Sequence, residues 1–249
     1  LQLFLISITK YANSTIEKLF LQLKKAYQEA INQEIITKNL MLDADIRRPK
    51  SDKPDKKIRG YSTEEQKICL TAIEEHKIPY GRSNYKRQLL IELYTGLRMG
   101  EINALRPEDV DLERKTLTVC RTISTGKDKK SFINSTTKTN AGLRTIPITT
   151  DAEDVLREAR EVMRPNPEGL IFYDFNKMDV ESTKQVNSFF KRICDKTGLE
   201  YNGQHALRHT FATRCIESGI NAFVLKNWMG HTDIHVTLDT YADVFDSLN

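Results

Sequence analysis

Cysteine is scarce in this 249-residue chain, and the four present (69, 120, 194 and 215) form no CxxC pair. Their scatter excludes a zinc knuckle or a disulfide frame and fits reduced thiols in a cytosol. No apolar run approaches the roughly 18 residues that span a bilayer, so no membrane partner is expected. Internal repeats and low-complexity tracts are missing as well, which excludes a solenoid or a disordered scaffold. The chain opens on Leu1 without a secretory signal and reads as a fragment lacking its natural N-terminus, so the missing signal carries no weight. Neither charge sign dominates, with 38 Lys and Arg against 34 Asp and Glu and a net charge of +4. Hydrophobic content of 39% and charged content of 29% describe an ordinary globular protein with one large or two smaller domains.

What is there is unevenly placed. Residues 1–46 carry five basic and five acidic side chains, whereas Arg47 to Arg59 carries seven basic residues against Asp52 and Asp55. Residues 121–144 carry six basic residues against Asp128. Two basic concentrations on a near-neutral chain suit a polyanion, although solvated loops would look the same. Candidate backbone contacts are Arg47, Arg48, Lys50, Lys56, Lys57 and Arg59 in the first, and Arg121, Lys127, Lys129 and Lys130 in the second.

The pattern predicts a mainly α protein with a small antiparallel β-sheet, of the α+β class. Residues 14–38 have helical periodicity behind a Ser14 cap, and such a piece needs a larger helical domain to bury its face. Residues 47–60 are a proline-containing, charged linker. The second domain, 61–249, starts at a Ser62/Glu65 capping box opening a helix to about His76. A helix over 84–95 should end at Gly96 in the left-handed conformation, with a tight turn at 97–100 leading to a short helix at 101–105. Thr116–Ile123 alternates as a strand, and strands at 131–137 and 143–148 are joined by the Asn140-Ala141-Gly142 turn, with Lys138 at the bend. Helices at 151–163, 180–197, 205–218 and 221–229 follow, with a short strand at 171–173.

Four of the five histidines, 205, 209, 231 and 235, fall in the last 45 residues. His205 and Arg208 are spaced i,i+3 and share a helix face. An arginine is always charged and forks onto two oxygens, which suits phosphate, and the Tyr241 hydroxyl can serve as a nucleophile. Singly, Arg98 or Lys138 reads as a solvated charge, His205 or His231 as a helix-end histidine, and Tyr241 as a core ring. Together they describe a site that grips one phosphate and attacks it. His205/His209 and His231/His235 also have the i,i+4 spacing of zinc pairs, but HExxH is missing and the arginine beside His205 would repel a cation.

His205-Ala-Leu-Arg208-His209-Thr-Phe-Ala-Thr213, Met229-Gly230-His231 and Thr240-Tyr241-Ala242 together resemble the C-terminal signature of the tyrosine recombinases, the phage integrase family. Thr95-Gly-Leu-Arg98-Met-Gly-Glu101 resembles the family's first-arginine motif, and Thr137-Lys138-Thr139 before Arg144-Thr-Ile-Pro147 its hairpin lysine. Ile36-Thr37-Lys38-Asn39 is similar to the end of its helical core-binding domain, which makes 1–46 part of that DNA-binding domain. The nearest resemblance is to integrases of conjugative transposons and Gram-positive phages. Departures are Met229 for the usual leucine and Leu40 for the usual proline.

The resemblance implies a catalytic set of Arg98, Lys138, His205, Arg208, His231 and Tyr241. Tyr241 would form a 3′-phosphotyrosyl link, Lys138 would protonate the 5′ oxygen, His205 would assist proton transfer at the tyrosine, and His231 would hydrogen-bond the phosphate. Neither metal nor other cofactor is expected. Implied partners are double-stranded DNA, three further protomers in a tetramer on paired sites held by exchange of the tail after Tyr241, and an accessory DNA-bending or excision factor. The implied location is the bacterial cytoplasm. A DNA-binding regulator without catalysis is the alternative on this scaffold, although such a relative would usually have lost one of the six residues.

Overall fold

In the computed structural model, residues 1–43, 45–54, 59–76, 84–126, 128, 130–135 and 142–246 are described. The chain divides into two compact units, Leu1–Lys57 and Ile58–Asn249. The first contains α1 (Gln2–Ser7), α2 (Asn13–Asn32) and a 3-10 turn at Leu40–Leu42. Its small core is Leu5, Ile8 and Ile16, with Leu19, Phe20, Leu23 and Ile46 packed against it. The expected helix over 14–38 is corrected at both ends. Ser14 lies inside α2, which starts after extended Ala12 without a side-chain cap. The helix closes at Asn32 because Glu34 takes a positive φ of 58° and the Ile35 N–H turns back to the Ala30 carbonyl. That residue does what a C-terminal glycine usually does.

The second unit contains α3 (Thr63–Glu75), α4 (Tyr85–Thr95), α5 (Met99–Asn103), α6 (Thr150–Glu161), α7 (Thr183–Thr197), α8 (His205–Glu217), α9 (Ala222–Met229) and α10 (Ile234–Asp246). Its strands are β1 (Val110–Asp111), β2 (Thr116–Val119), β3 (Arg121–Thr125), β4 (Ser131–Ser135), β5 (Arg144–Pro147), β6 (Tyr173–Asp174) and β7 (Asp179–Val180). The Ser62/Glu65 capping box is present, with the Ser62 side chain accepting from Glu65 N and the Glu65 carboxylate from Ser62 N. α4 is buried on nearly every side and packs against α3, α5, α6, α7 and α8. It forms the axis of a core that runs from Tyr61 to Leu207. A satellite cluster of Ala212, Ile216, Leu225, Met229 and Tyr241 joins α8, α9 and α10.

The structure rearranges the expected sheet. The alternating run 116–123 is two strands: the chain leaves one sheet at Cys120, and β3 pairs with β4 while β2 pairs with β1 and β5. Thus 131–135 and 143–148 are not partners of each other, because their pairing edges belong to different sheets. Alternation marks a strand but not the point where it changes neighbour. The Asn140-Ala141 part of the expected turn lies outside the described residues. The short strand expected at 171–173 sits later, at β6, because the Ile171 N–H is bonded to the Leu105 carbonyl. α5 starts two residues earlier than expected because the Glu101 carboxylate reaches back to accept from Arg98 N at 2.9 Å.

Candidate active site

Two left-handed glycines make the corner on which the site is built. Gly96 (φ 65°) ends α4, and a Cβ there would sit 2.3 Å from the Phe211 ring and 3.1 Å from Met229 Sδ. Only glycine lets the end of α4 press this closely against α8 and α9. Gly230 (φ 63°) ends α9 in the same way.

The carbonyls at the end of α9 are the organising feature. A helix leaves its last carbonyls without partners, and they form the negative end of its dipole. Here three consecutive ones meet three arginines. Trp228 O accepts from Arg144 Nε (2.8 Å), Met229 O from Arg208 Nη2, and Gly230 O from Arg98 Nη2 (3.3 Å). Arg208 Nη1 also donates to Gly96 O, so both ends of its guanidinium are fixed on main chain. Burial lowers Arg208 to about 10, with Arg98 acting in the same direction, and the group remains a cation at neutral pH.

Glu101 is the counterion. Its two oxygens accept from Arg144 Nη1 (3.0 Å) and Nη2 (2.8 Å), while Arg98 Nη1 lies 3.2 Å away. Burial alone would raise this carboxyl, but Arg144 and Arg98 hold it below the usual carboxylate range. Three guanidiniums against one carboxylate leave the corner electropositive, as a phosphate requires. Arg144, expected only as part of the hairpin motif, is thereby a member of the corner.

Arg98, His205, Arg208, His209, His231, Thr240 and Tyr241 line one pocket. The structure therefore brings together five of the six expected site residues. Lys138 lies outside the described residues. Tyr241 is 4% exposed, and burial pushes its hydroxyl up to about 12. Its proton is therefore still in place at neutral pH and must be taken during any attack. His231 Nδ1 is 2.8 Å from Thr237 Oγ1, and Nε2 is 3.2 Å from Arg208 Nη2. A guanidinium can only donate, so Nε2 accepts and Nδ1 carries the hydrogen. Burial, reinforced by Arg208, lowers His231 to about 4. His209 packs its ring tilted against that of Tyr241, with centroids 5.5 Å apart, and is also lowered to about 4 by burial and His205. His205, at the first turn of α8, is more exposed and faces Glu92. Among the described residues no cluster of three His, Cys, Asp or Glu could hold a metal ion.

Of the expected DNA-contacting residues, Arg47, Lys50 and Lys130 are exposed. Arg48 pairs with Glu17 at 2.7 Å, Arg59 with Glu65, and Arg121 with Asp109. Lys56, Lys57, Lys127 and Lys129 lie outside the described residues. Among the described residues, no helix is long and apolar enough to cross a membrane. Val244 and Phe245, in the tail expected to dock on another protomer, pack here on the Tyr241 cluster of their own chain.

Residues 63–247 match the profile of the phage integrase family, and the chain belongs to that family. It is 29% identical to a tyrosine recombinase XerC-like protein of Caldanaerobacter subterraneus subsp. tengcongensis, over 94% of this chain and 63% of that one. It is also 29% identical to the transposase from transposon Tn916 of Enterococcus faecalis, over 95% of this chain and 60% of that one. The chain thus spans about 60% of the length of these relatives. Among solved structures, the Tn1549 transposon integrase in complex with a circular intermediate DNA superposes with a TM-score of 0.78 at 23% identity, covering 96% of this chain and 79% of that one. This likeness establishes a shared fold.

Proposed function

We propose that this chain is the catalytic portion of a site-specific DNA recombinase that integrates or excises a mobile element through a 3′-phosphotyrosyl intermediate. The observation that carries the reading is the single pocket in which Tyr241 meets Arg98, Arg208, His205 and His231. A phosphodiester under attack gathers charge on its non-bridging oxygens, and Arg98 and Arg208 stabilise it from fixed positions. Tyr241 loses its proton to His205 as it attacks, since the buried hydroxyl is not ionised beforehand. Lys138 protonates the departing 5′ oxygen. His231 Nε2 accepts from Arg208 and so helps hold that arginine in place for the phosphate. Bond energy stays in the phosphotyrosine, so rejoining needs no nucleotide.

The partner is double-stranded DNA in the bacterial cytoplasm. Residues 1–46 would contribute part of a core-binding domain, with the linker 47–60 along the phosphates. Exchange of strands between two duplexes needs four attacks, hence four protomers, coupled by the segment after Tyr241 and biased by an accessory DNA-bending or excision factor. Incubation with a nicked suicide DNA site followed by a denaturing gel tests the chemistry. The native chain should give a covalent adduct, and Tyr241→Phe should bind the same DNA without forming one. An adduct from Tyr241→Phe would place the nucleophile elsewhere.

A further inference from the structure

Glu92, on α4 one turn before Gly96, has no solvent exposure, and neither carboxylate oxygen has a hydrogen-bond partner among the described residues. The polar atom facing it is His205 Nδ1, 3.6 Å from Oε1. An unpaired buried carboxyl is costly, and an aliphatic side chain would fill the place without that cost. The ring of His205 has its Nδ1 edge toward Glu92, so its Nε2 edge turns away, and the residue lines the pocket that holds Tyr241.

We infer that Glu92 is a positioning residue for His205: its carboxylate accepts the Nδ1–H, leaves Nε2 bare toward the pocket, and balances the imidazolium formed when Nε2 takes the Tyr241 proton. This rests on the reading of His205 as the base for Tyr241. In the step, the tyrosine O–H bond breaks and its proton goes to Nε2. The oxygen's electron pair forms the new O–P bond, and the 5′ oxygen leaves with the old O–P pair and takes a proton from Lys138. Rejoining reverses each transfer. A carboxylate behind an imidazole fixes its tautomer and stabilises its cation.

The arrangement gives the rate a particular pH dependence. Burial raises Glu92 to about 7, opposed by His205 and Arg208, both on α8. The other helices packed on α4 (α3, α5, α6 and α7) present no titratable group among the described residues that shifts it. The carboxylate is present above that value and is lost as pH falls through it, so cleavage should decline on the acid side of neutrality.

Two measurements test the inference. Imidazole nitrogen NMR on the DNA-free chain should show His205 protonated on Nδ1, with that preference lost in Glu92→Leu and weakened in Glu92→Gln. Single-turnover adduct formation on the suicide site should fall about 10-fold in both variants at neutral pH, a fraction of what a general base contributes, and its acid-side decline should be displaced from that of the native chain. Affinity for DNA should be unchanged, and Glu92→Leu should melt no lower than the native chain, unlike a merely structural residue. Glu92→Gln keeps the shape and carries both readouts if Glu92→Leu does not fold. A native Nε2–H tautomer, or native rate and pH profile in the variants, overturns the inference. A native chain that makes no adduct overturns the recombinase reading instead, while the NMR measurement still decides Glu92.

Discussion

The floor and the rim of the pocket use the same residue types under opposite conditions. On the floor, Arg208 is 6% exposed and held by main-chain carbonyls, while His231 is half-buried and kept neutral by burial and its cationic neighbours. On the rim, the Arg98 side chain is 43% exposed and that of His205 55%, and each faces a carboxylate, Glu101 or Glu92. The floor is fixed by the end of α9 and can only be occupied. The rim is backed by negative charge and open to solvent, so it can change protonation or contact as substrate arrives. A histidine backed by arginines suits orientation and hydrogen bonding; one backed by a carboxylate suits taking a proton.

The arginines give the largest test of this contrast. Arg98→Ala and Arg208→Ala should each slow cleavage by ~100-fold or more, the scale of losing one preorganised charge stabiliser. They should part in stability, because Arg208→Ala strands the Gly96 and Met229 carbonyls in the interior whereas Arg98→Ala removes a half-exposed group. Thermal melting beside single-turnover cleavage would show it. Equal melting losses would erase the distinction between floor and rim.

The histidines of the floor predict a smaller effect, on stability. His209 and His231 have an ordinary value of 6.5 and are lowered to about 4 in the folded chain. Between those values the unfolded chain binds more protons, so their contribution is complete above 6.5 and is lost as pH falls toward 4. Melting temperature should drop across that window, and the drop should be shallower in His209→Gln and His231→Gln. An unchanged slope in both would mean that neither is buried neutral.

The smallest effect belongs to the basic surface. Neutralising exposed Arg47 and Lys50 should weaken binding to all sequences alike and flatten its salt dependence, by about one unit of slope per lost phosphate contact. Arg59 and Arg121, already paired with Glu65 and Asp109, should contribute less to that slope. A sequence-selective loss from Arg47 and Lys50 would mean that they read bases.

Much of the site was legible because its residues are chemically unusual and lie near helix ends, where short patterns suffice: Gly96 as a left-handed stop, Ser62 with Glu65 as a cap. The strand alternation at 116–123 did not disclose the switch of sheet at Cys120, since both halves alternate alike. Arg144 and Glu92 stayed silent for another reason. Their meaning lies in partners far along the chain, Glu101 and Trp228 for one and His205 for the other, and periodicity reports only which side of an element is buried. The end of α2 was misjudged because Glu34, and no glycine, adopts the left-handed conformation.

Helix α10 is broken at Tyr241, where φ −118° and ψ 18° depart from helical values. The turns on either side are therefore two short rods sharing one joint, and Tyr241 is the joint. The segment before the kink carries Thr237, whose hydroxyl is bonded to His231, so the turn after the kink can shift without moving that contact.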